Sequence, residues 1–189
     1  PTVHPKHKQI FQHTIDKGLD LALVSNGTVM REGVPEILAK GKWARFSVDA
    51  GRAKSYSAIR SVPESFFQKT LDNIKKVSEA RAKEPNSDLV IGVGFVVTKE
   101  NWKEIHEAVE IYKDLGVDNV RISAVFTPED ADYFTEFYEE AKALTQKSKE
   151  DFETEEFKVF NLFGDRVEDL ALQQPDYDFC SYMHLNTYI

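Results

Sequence analysis

Apolar runs of strand length alternate along this chain with amphipathic runs of helix length, and that alternation constrains the fold more than any other feature. The runs "LDLALVSNG", "WARFSVDAG", "SDLVIGVGFVVT", "VDNVRISAVF" and "EFKVFNLF" are five strand candidates. The first is preceded by "PKHKQIFQHTIDKG", where Ile10, Phe11 and Ile15 fall at near-helical spacing, Pro5 suits a first turn and Gly18 the stop. "VPEILAKG" is a short helix pattern. In "PESFFQKTLDNIKKVSEARAKE" the residues Phe67, Leu71, Ile74 and Val77 share one helical stripe, as do Trp102, Ile105, Val109 and Tyr112 in "KENWKEIHEAVEIYKDLG". "PEDADYFTEFYEEAKALTQ" repeats the pattern with Tyr133, Phe137, Ala141 and Leu144, whereas residues 52–62 read as a polar loop. Strands alternating with helices of this length predict parallel pairing through right-handed crossovers, hence an α/β barrel or a doubly wound sheet. No Gly-rich dinucleotide fingerprint follows a strand, and "GVGF" lies inside one, without the strand-to-helix context of a phosphate loop.

A chain of 189 residues that is 41% hydrophobic can bury one sizeable core without staples. Its net charge of −8, with no stretch that concentrates Lys and Arg, argues against a nucleic-acid partner. The apolar runs fall far short of a bilayer span and no signal-peptide core opens the chain, so no membrane partner and a cytoplasmic location are expected. Cys180 stands alone and cannot form an internal disulfide or hold a cluster by itself.

Barrel enzymes place their chemistry at the carboxyl ends of successive strands. Those ends carry Ser25 and Asn26, Ser47 and Asp49, Thr98 with Asn101 just beyond, and Thr127. Each alone also suits a turn or a helix cap, and it is their joint position at one rim that makes them candidates. His4 and His7 have a metal-like spacing but no second ligand pair. His106 sits mid-helix among charges, Asp130 and Asp132 read as helix-start carboxylates, and Phe134, Phe137 and Tyr138 read as core. A barrel aldolase or isomerase using Asp49 or Glu100 lacks a Lys or phosphate-loop signal at any strand end.

The opening "PTVHPKHKQIFQHTIDKGLDLALVSNGT" resembles the second-helix region of radical S-adenosylmethionine enzymes, in which a Gly-Gly-Glu-Pro motif is followed by Thr, a small or apolar residue, His and Pro. "ARFSVDAGRAKSYSAIR" resembles the family's fourth strand with its Ser-x-Asp and a later Arg, here Arg60. "VVTKENWKEIHEAVEIYKDLGVDNVRIS" resembles the fifth strand, its helix and the sixth strand. "FCSYMHLNTYI" resembles the entry to the C-terminal extension called SPASM. The resemblance covers residues 1 to about 126.

The resemblance implies a partial (β/α) barrel with its first strands missing, spanning residues 1–150, and a segment 151–189 leading into a truncated SPASM-like extension. It implies a radical oxidoreductase or maturase that cleaves S-adenosylmethionine at a four-iron four-sulfur cluster to abstract a substrate hydrogen atom. The CxxxCxxC cluster loop and the Gly-Gly-Glu are not in the sequence, so the chain reads as an inactive core fragment, with neither cofactor expected bound to it. By the same resemblance Ser25, Asn26, Ser47, Asp49, Arg60 and Val96 are cofactor-binding residues, Gly92 and Gly94 permit close approach of adenine, and Cys180 ligates an auxiliary cluster in the intact protein. The substrate is then a small molecule or peptide, and the exposed sheet edge favours a homodimer. The competing reading is a non-catalytic α/β domain that binds a ligand or partner.

Overall fold

The computed structural model describes residues 2–127 and 130–171. In chain order these form α1 (His7–Asp16), β1 (Ala22–Ser25), α2 (Val34–Leu38), β2 (Trp43–Ser47), α3 (Ala53–Arg60), α4 (Ser65–Lys83) and β3 (Val90–Val97). A 3-10 turn (Trp102–Glu104) then leads into α5 (Ile105–Asp114) and β4 (Asn119–Ala124). A second 3-10 segment (Asp130–Phe134) precedes α6 (Tyr138–Phe152), β5 (Lys158–Leu162) and α7 (Phe163–Ala171). Cys180 and the SPASM-like stretch lie outside the described residues.

The strands lie side by side in the order β1-β2-β3-β4-β5 and every pair is parallel. A doubly wound sheet reverses its strand order and carries helices on both faces; here the order never reverses, so right-handed crossovers stack successive helices on one side. The result is an open, singly wound sheet of barrel type. β5 lies beyond residue 150 yet pairs with β4 in this same sheet.

Alternation along the strands separates two faces. Leu23, Phe46, Val93, Phe95, Ile122 and Val159 point to the covered face and are at most 3% exposed. They pack with the stripes foreseen for α4 and α5, among them Ile74, Val77, Ile105, Val109 and Tyr112, all fully buried. The opposite face is open: Val24, Trp43, Val90 and Phe160 remain exposed there, as a barrel's interior would be if the barrel were not closed.

Three elements differ from the sequence reading. The supposed polar loop contains α3, which is held by tertiary hydrogen bonds rather than an apolar stripe: Ser55 Oγ donates to Glu104 Oε2, and Tyr56 shares a 3.1 Å hydrogen bond with Thr70. α6 starts at Tyr138, later than the pattern implies, because Phe134 and Phe137 are pinned in the core by the preceding segment. α7 follows β5 directly, with Phe163 buried against Phe134 and Tyr138.

Gly27 ends the β1 turn with φ +74°, a conformation open to glycine. A Cβ there would meet Thr70 Cγ2 at 3.1 Å and Phe46 Cδ1 at 3.2 Å, and the Gly27 carbonyl accepts from Asn73 Nδ2 at 2.8 Å. Gly27→Ala should therefore cost about 2 kcal/mol in urea unfolding, since strain and crowding add at a turn its neighbours cannot leave. An unchanged midpoint would show that the turn relaxes freely.

Candidate functional site

The carboxyl ends of β2 and β3 are joined by side chains rather than by further ladder hydrogen bonds. After the last regular bond, from Val48 N–H to the Gly94 carbonyl, the chain turns at Asp49 with φ +61°. Val96 N–H, which would next donate to a β2 carbonyl, donates instead to Asp49 Oδ1 at 2.9 Å. Asn101, fully buried, completes the splice: its Nδ2 donates to the carbonyls of Asp49 and Val96, each at 2.8 Å, while its Oδ1 accepts from Thr98 N–H at 2.7 Å.

Arg60 at the end of α3 turns back over this splice. Its Nη2 pairs with Asp49 Oδ2 and donates to the Ser47 carbonyl at 3.0 Å, while its Nε is buried without a partner among the described residues. Burial pushes the Asp49 carboxyl above its ordinary value; Arg60 and the Val96 N–H oppose the rise in part. Beneath, Glu104 Oε2 accepts from Gly51 N–H at 3.0 Å as well as from Ser55. Tyr112, fully buried, donates its hydroxyl to the Ala50 carbonyl at 2.6 Å, and burial raises its pKa well above the usual tyrosine value.

Each residue proposed from the sequence can now be placed. Ser47, Asp49, Arg60 and Val96 meet at one strand end. Ser47 and Val96 are half-buried on the open face, and among the described residues the Ser47 hydroxyl has no hydrogen-bond partner. Gly94 lies between them on that face, and a Cβ added to it would meet nothing nearer than the Phe46 carbonyl at 3.9 Å. Gly92 is closed: a Cβ there would meet Asn119 Oδ1 at 2.6 Å. Ser25 shares the covered face with Leu23, and its Oγ accepts from Gly27 N–H; Asn26 is exposed at the turn, with Oδ1 accepting from Thr28. Sequence reading did not single out Glu104, and it left Asn101 between cap and rim; their burial, not their spacing, is what distinguishes them.

The chemistry of the donors separates two groups. Among the described residues no three His, Cys, Asp or Glu side chains are placed to hold a metal ion, and residues 2–127 and 130–171 contain no cysteine. An iron-sulfur cluster therefore finds no ligand set in them. The adenosyl part of S-adenosylmethionine does fit: an open space over Gly94, a free hydroxyl at Ser47 and an apolar wall at Val96 suit a flat, partly polar group. The larger clefts, about 760 and 590 Å³, run along α1, α2 and α4, away from these strand ends. There His7 Nδ1 bonds to the His4 carbonyl at 2.6 Å, and His7 Nε2 is buried without a partner among the described residues.

This geometry defines an open, barrel-type α/β core with polar side chains gathered at its strand ends, and solved structures share the fold. SuiB of Streptococcus suis bound to S-adenosylmethionine superposes with a TM-score of 0.63 over 96% of this chain and 40% of that one, at 14% identity. SuiB bound to its precursor peptide SuiA gives 0.61 over 84% of this chain and 36% of that one, at 15% identity. No family model matches the chain. Curated relatives do: it is 29% identical over 133 residues to the tungsten-containing aldehyde ferredoxin oxidoreductase cofactor-modifying protein of Pyrococcus furiosus, covering 68% of this chain and 37% of that protein. It is 29% identical over 118 residues to the AdoMet-dependent heme synthase of Methanosarcina barkeri, covering 61% and 32%. With the subtilosin biosynthesis protein AlbA of Bacillus subtilis it shares 28% identity over 117 residues, covering 60% and 24%. These homologues are radical S-adenosylmethionine proteins, as the sequence motifs implied. The chain spans about a quarter to a little over a third of their length. No helix among the described residues is long and apolar enough to cross a membrane.

Proposed function

We propose that these residues form the S-adenosylmethionine-binding part of a radical S-adenosylmethionine oxidoreductase or maturase. When bound and reduced at a four-iron four-sulfur cluster, S-adenosylmethionine supplies hydrogen-atom abstraction. The residues of this chain position it. Gly94 lets a planar group lie against the β3 backbone, Val96 walls it, and the Ser47 hydroxyl is free to donate to a ribose or carboxylate oxygen. Asp49, Arg60 and Asn101 act one step back, holding the β2 and β3 ends in register beneath the ligand. Asn26 offers its amide at the neighbouring rim. The observation that carries this reading is the open space over Gly94 beside a free hydroxyl, in a chain whose homologues are radical S-adenosylmethionine proteins.

A peptide or a small molecule is the substrate class we favour, because SuiB is seen with a precursor peptide and AlbA serves bacteriocin biosynthesis. The cluster ligands would come from residues other than those described. In the gene product that contains these residues, anaerobic reconstitution with iron and sulfide followed by reduction should yield 5′-deoxyadenosine from S-adenosylmethionine. Ser47→Ala and Gly94→Val should each lower that yield roughly tenfold at subsaturating cofactor, about 1.4 kcal/mol of lost binding. The 189-residue chain treated alike should yield none. A gene product that holds a full cluster yet forms no 5′-deoxyadenosine would refute the reading.

A further inference from the structure

Register across the sheet sorts the open face into rows. One row runs Val24, Arg45, Gly92, Asn119, Lys158 and the next runs Ser47, Gly94, Arg121, Phe160. Above them Val96, Ser123 and Leu162 form a third row. Arg45, Arg121 and Lys158 project from this face and no Asp or Glu stands in any of these rows, although the chain holds 32 acidic residues against 24 Lys and Arg. With the Asp49 carboxylate at the strand end already paired with Arg60, these rows carry unopposed positive charge in an acidic chain.

Arg121 is the cation that belongs to the same row as Ser47 and Gly94. It is half-buried, and among the described residues its guanidinium has no hydrogen bond or ion pair. Beside it a cleft of about 450 Å³ runs between the carboxyl end of β4 and α7, with Arg121, Ser123, Phe126 and Arg166 in its wall together with one carboxylate, Asp169. Arg166 reaches Asp169 only at 3.5 Å, and both side chains are more than half exposed, a pair that solvent screens and that separates at little cost. Phe126 is 85% exposed at the rim. Two guanidinium groups and an uncovered ring on one cleft match a carboxylate carried on an apolar body, because a guanidinium fork takes a carboxylate through two parallel N–H···O bonds.

We propose that this cleft is the anion subsite for the substrate, with Arg121 as the principal carboxylate partner and Arg166 closing from α7. Calling the ligand a substrate rests on the radical S-adenosylmethionine reading; the anion site itself rests on the cleft. The substrate class is then a carboxylate-bearing compound or peptide, held one strand away from Gly94.

The test is a titration of the chain with succinate, followed by NMR at the Arg121 Nε–H and the Ser123 and Phe126 amides. Saturable shifts are expected at all three, with no response to succinamide. Arg121→Gln should weaken succinate at least tenfold and Arg166→Gln about threefold, with the far-UV circular dichroism of both unchanged. Equal binding by Arg121→Gln, or equal response to succinamide, would overturn the proposal. Inorganic phosphate binding tenfold tighter than succinate would overturn the carboxylate assignment in favour of a phosphoryl group. In the reconstituted gene product, a loss of S-adenosylmethionine affinity in Arg121→Gln as large as the loss for succinate would give the cleft to the cofactor and overturn the substrate site, leaving the radical reading intact. Succinate binding at Arg121 without any 5′-deoxyadenosine formation would uphold the anion site while the radical reading fell.

Discussion

Asp49→Ala should lower the unfolding free energy of the chain by about 3 kcal/mol, the larger of two effects expected at the β2–β3 splice. Three losses combine. Val96 N–H loses its acceptor, Arg60 loses the carboxylate that holds it over the strand end, and a residue with φ +61° loses the short polar side chain that tolerates that conformation. The Arg60 side chain is 29% exposed, so water takes part of the charge and the cost stays below that of a sealed pair. Asp49→Asn should cost less, since an amide oxygen still accepts from Val96 and asparagine tolerates positive φ.

The same pair of variants gives a pH test. Because burial raises the Asp49 pKa above the ordinary 3.8, the folded protein holds the Asp49 proton more tightly than the unfolded chain does. Ionisation therefore costs stability between 3.8 and the folded value. The stability advantage of the wild type over Asp49→Asn should be largest at low pH and shrink as pH rises through that window. An advantage that instead grows with pH would mean that Arg60 outweighs burial.

Asn101→Ala should cost about 2–3 kcal/mol, again by denaturant unfolding. Its amide bonds to the carbonyls of both strand ends, and truncation strands the carbonyls of Asp49 and Val96 and the N–H of Thr98. The site is fully buried, so water reaches these groups only by opening the splice. Asn101→Asp is the sharper variant: it keeps the acceptor for Thr98 but sets a carboxylate oxygen against two carbonyls, and it should destabilise at least as much as alanine. A midpoint within error of wild type in Asn101→Ala would show that β2 and β3 are held elsewhere.

The sheet was legible because each strand is written as a short apolar run, and "VIGVGFVV" reads as a strand whatever its neighbours do. α4 and α5 were legible for the same reason, since their apolar stripes are their packing surfaces. α3 was not. Its stability comes from Ser55 and Tyr56 reaching partners 49 and 14 residues away, a tertiary cause that leaves no periodic trace.

The candidate site was legible as residue types at strand ends, by resemblance, but not as roles. Nothing in "FSVDAG" says that the Asp49 carboxylate accepts a bond from β3, or that Arg60 is committed to it. Arg121 had no signal of its own, because a lone arginine in a strand acquires meaning only when register sets it beside Gly94 on an open face.

The central claim is that S-adenosylmethionine lies on the open face at the ends of β2 and β3. Hydrogen–deuterium exchange of the reconstituted gene product, with and without S-adenosylmethionine, tests it directly. Protection on binding should concentrate in residues 47–49 and 94–98. Protection confined to the α1–α2 clefts, with residues 94–98 unchanged, would contradict the account.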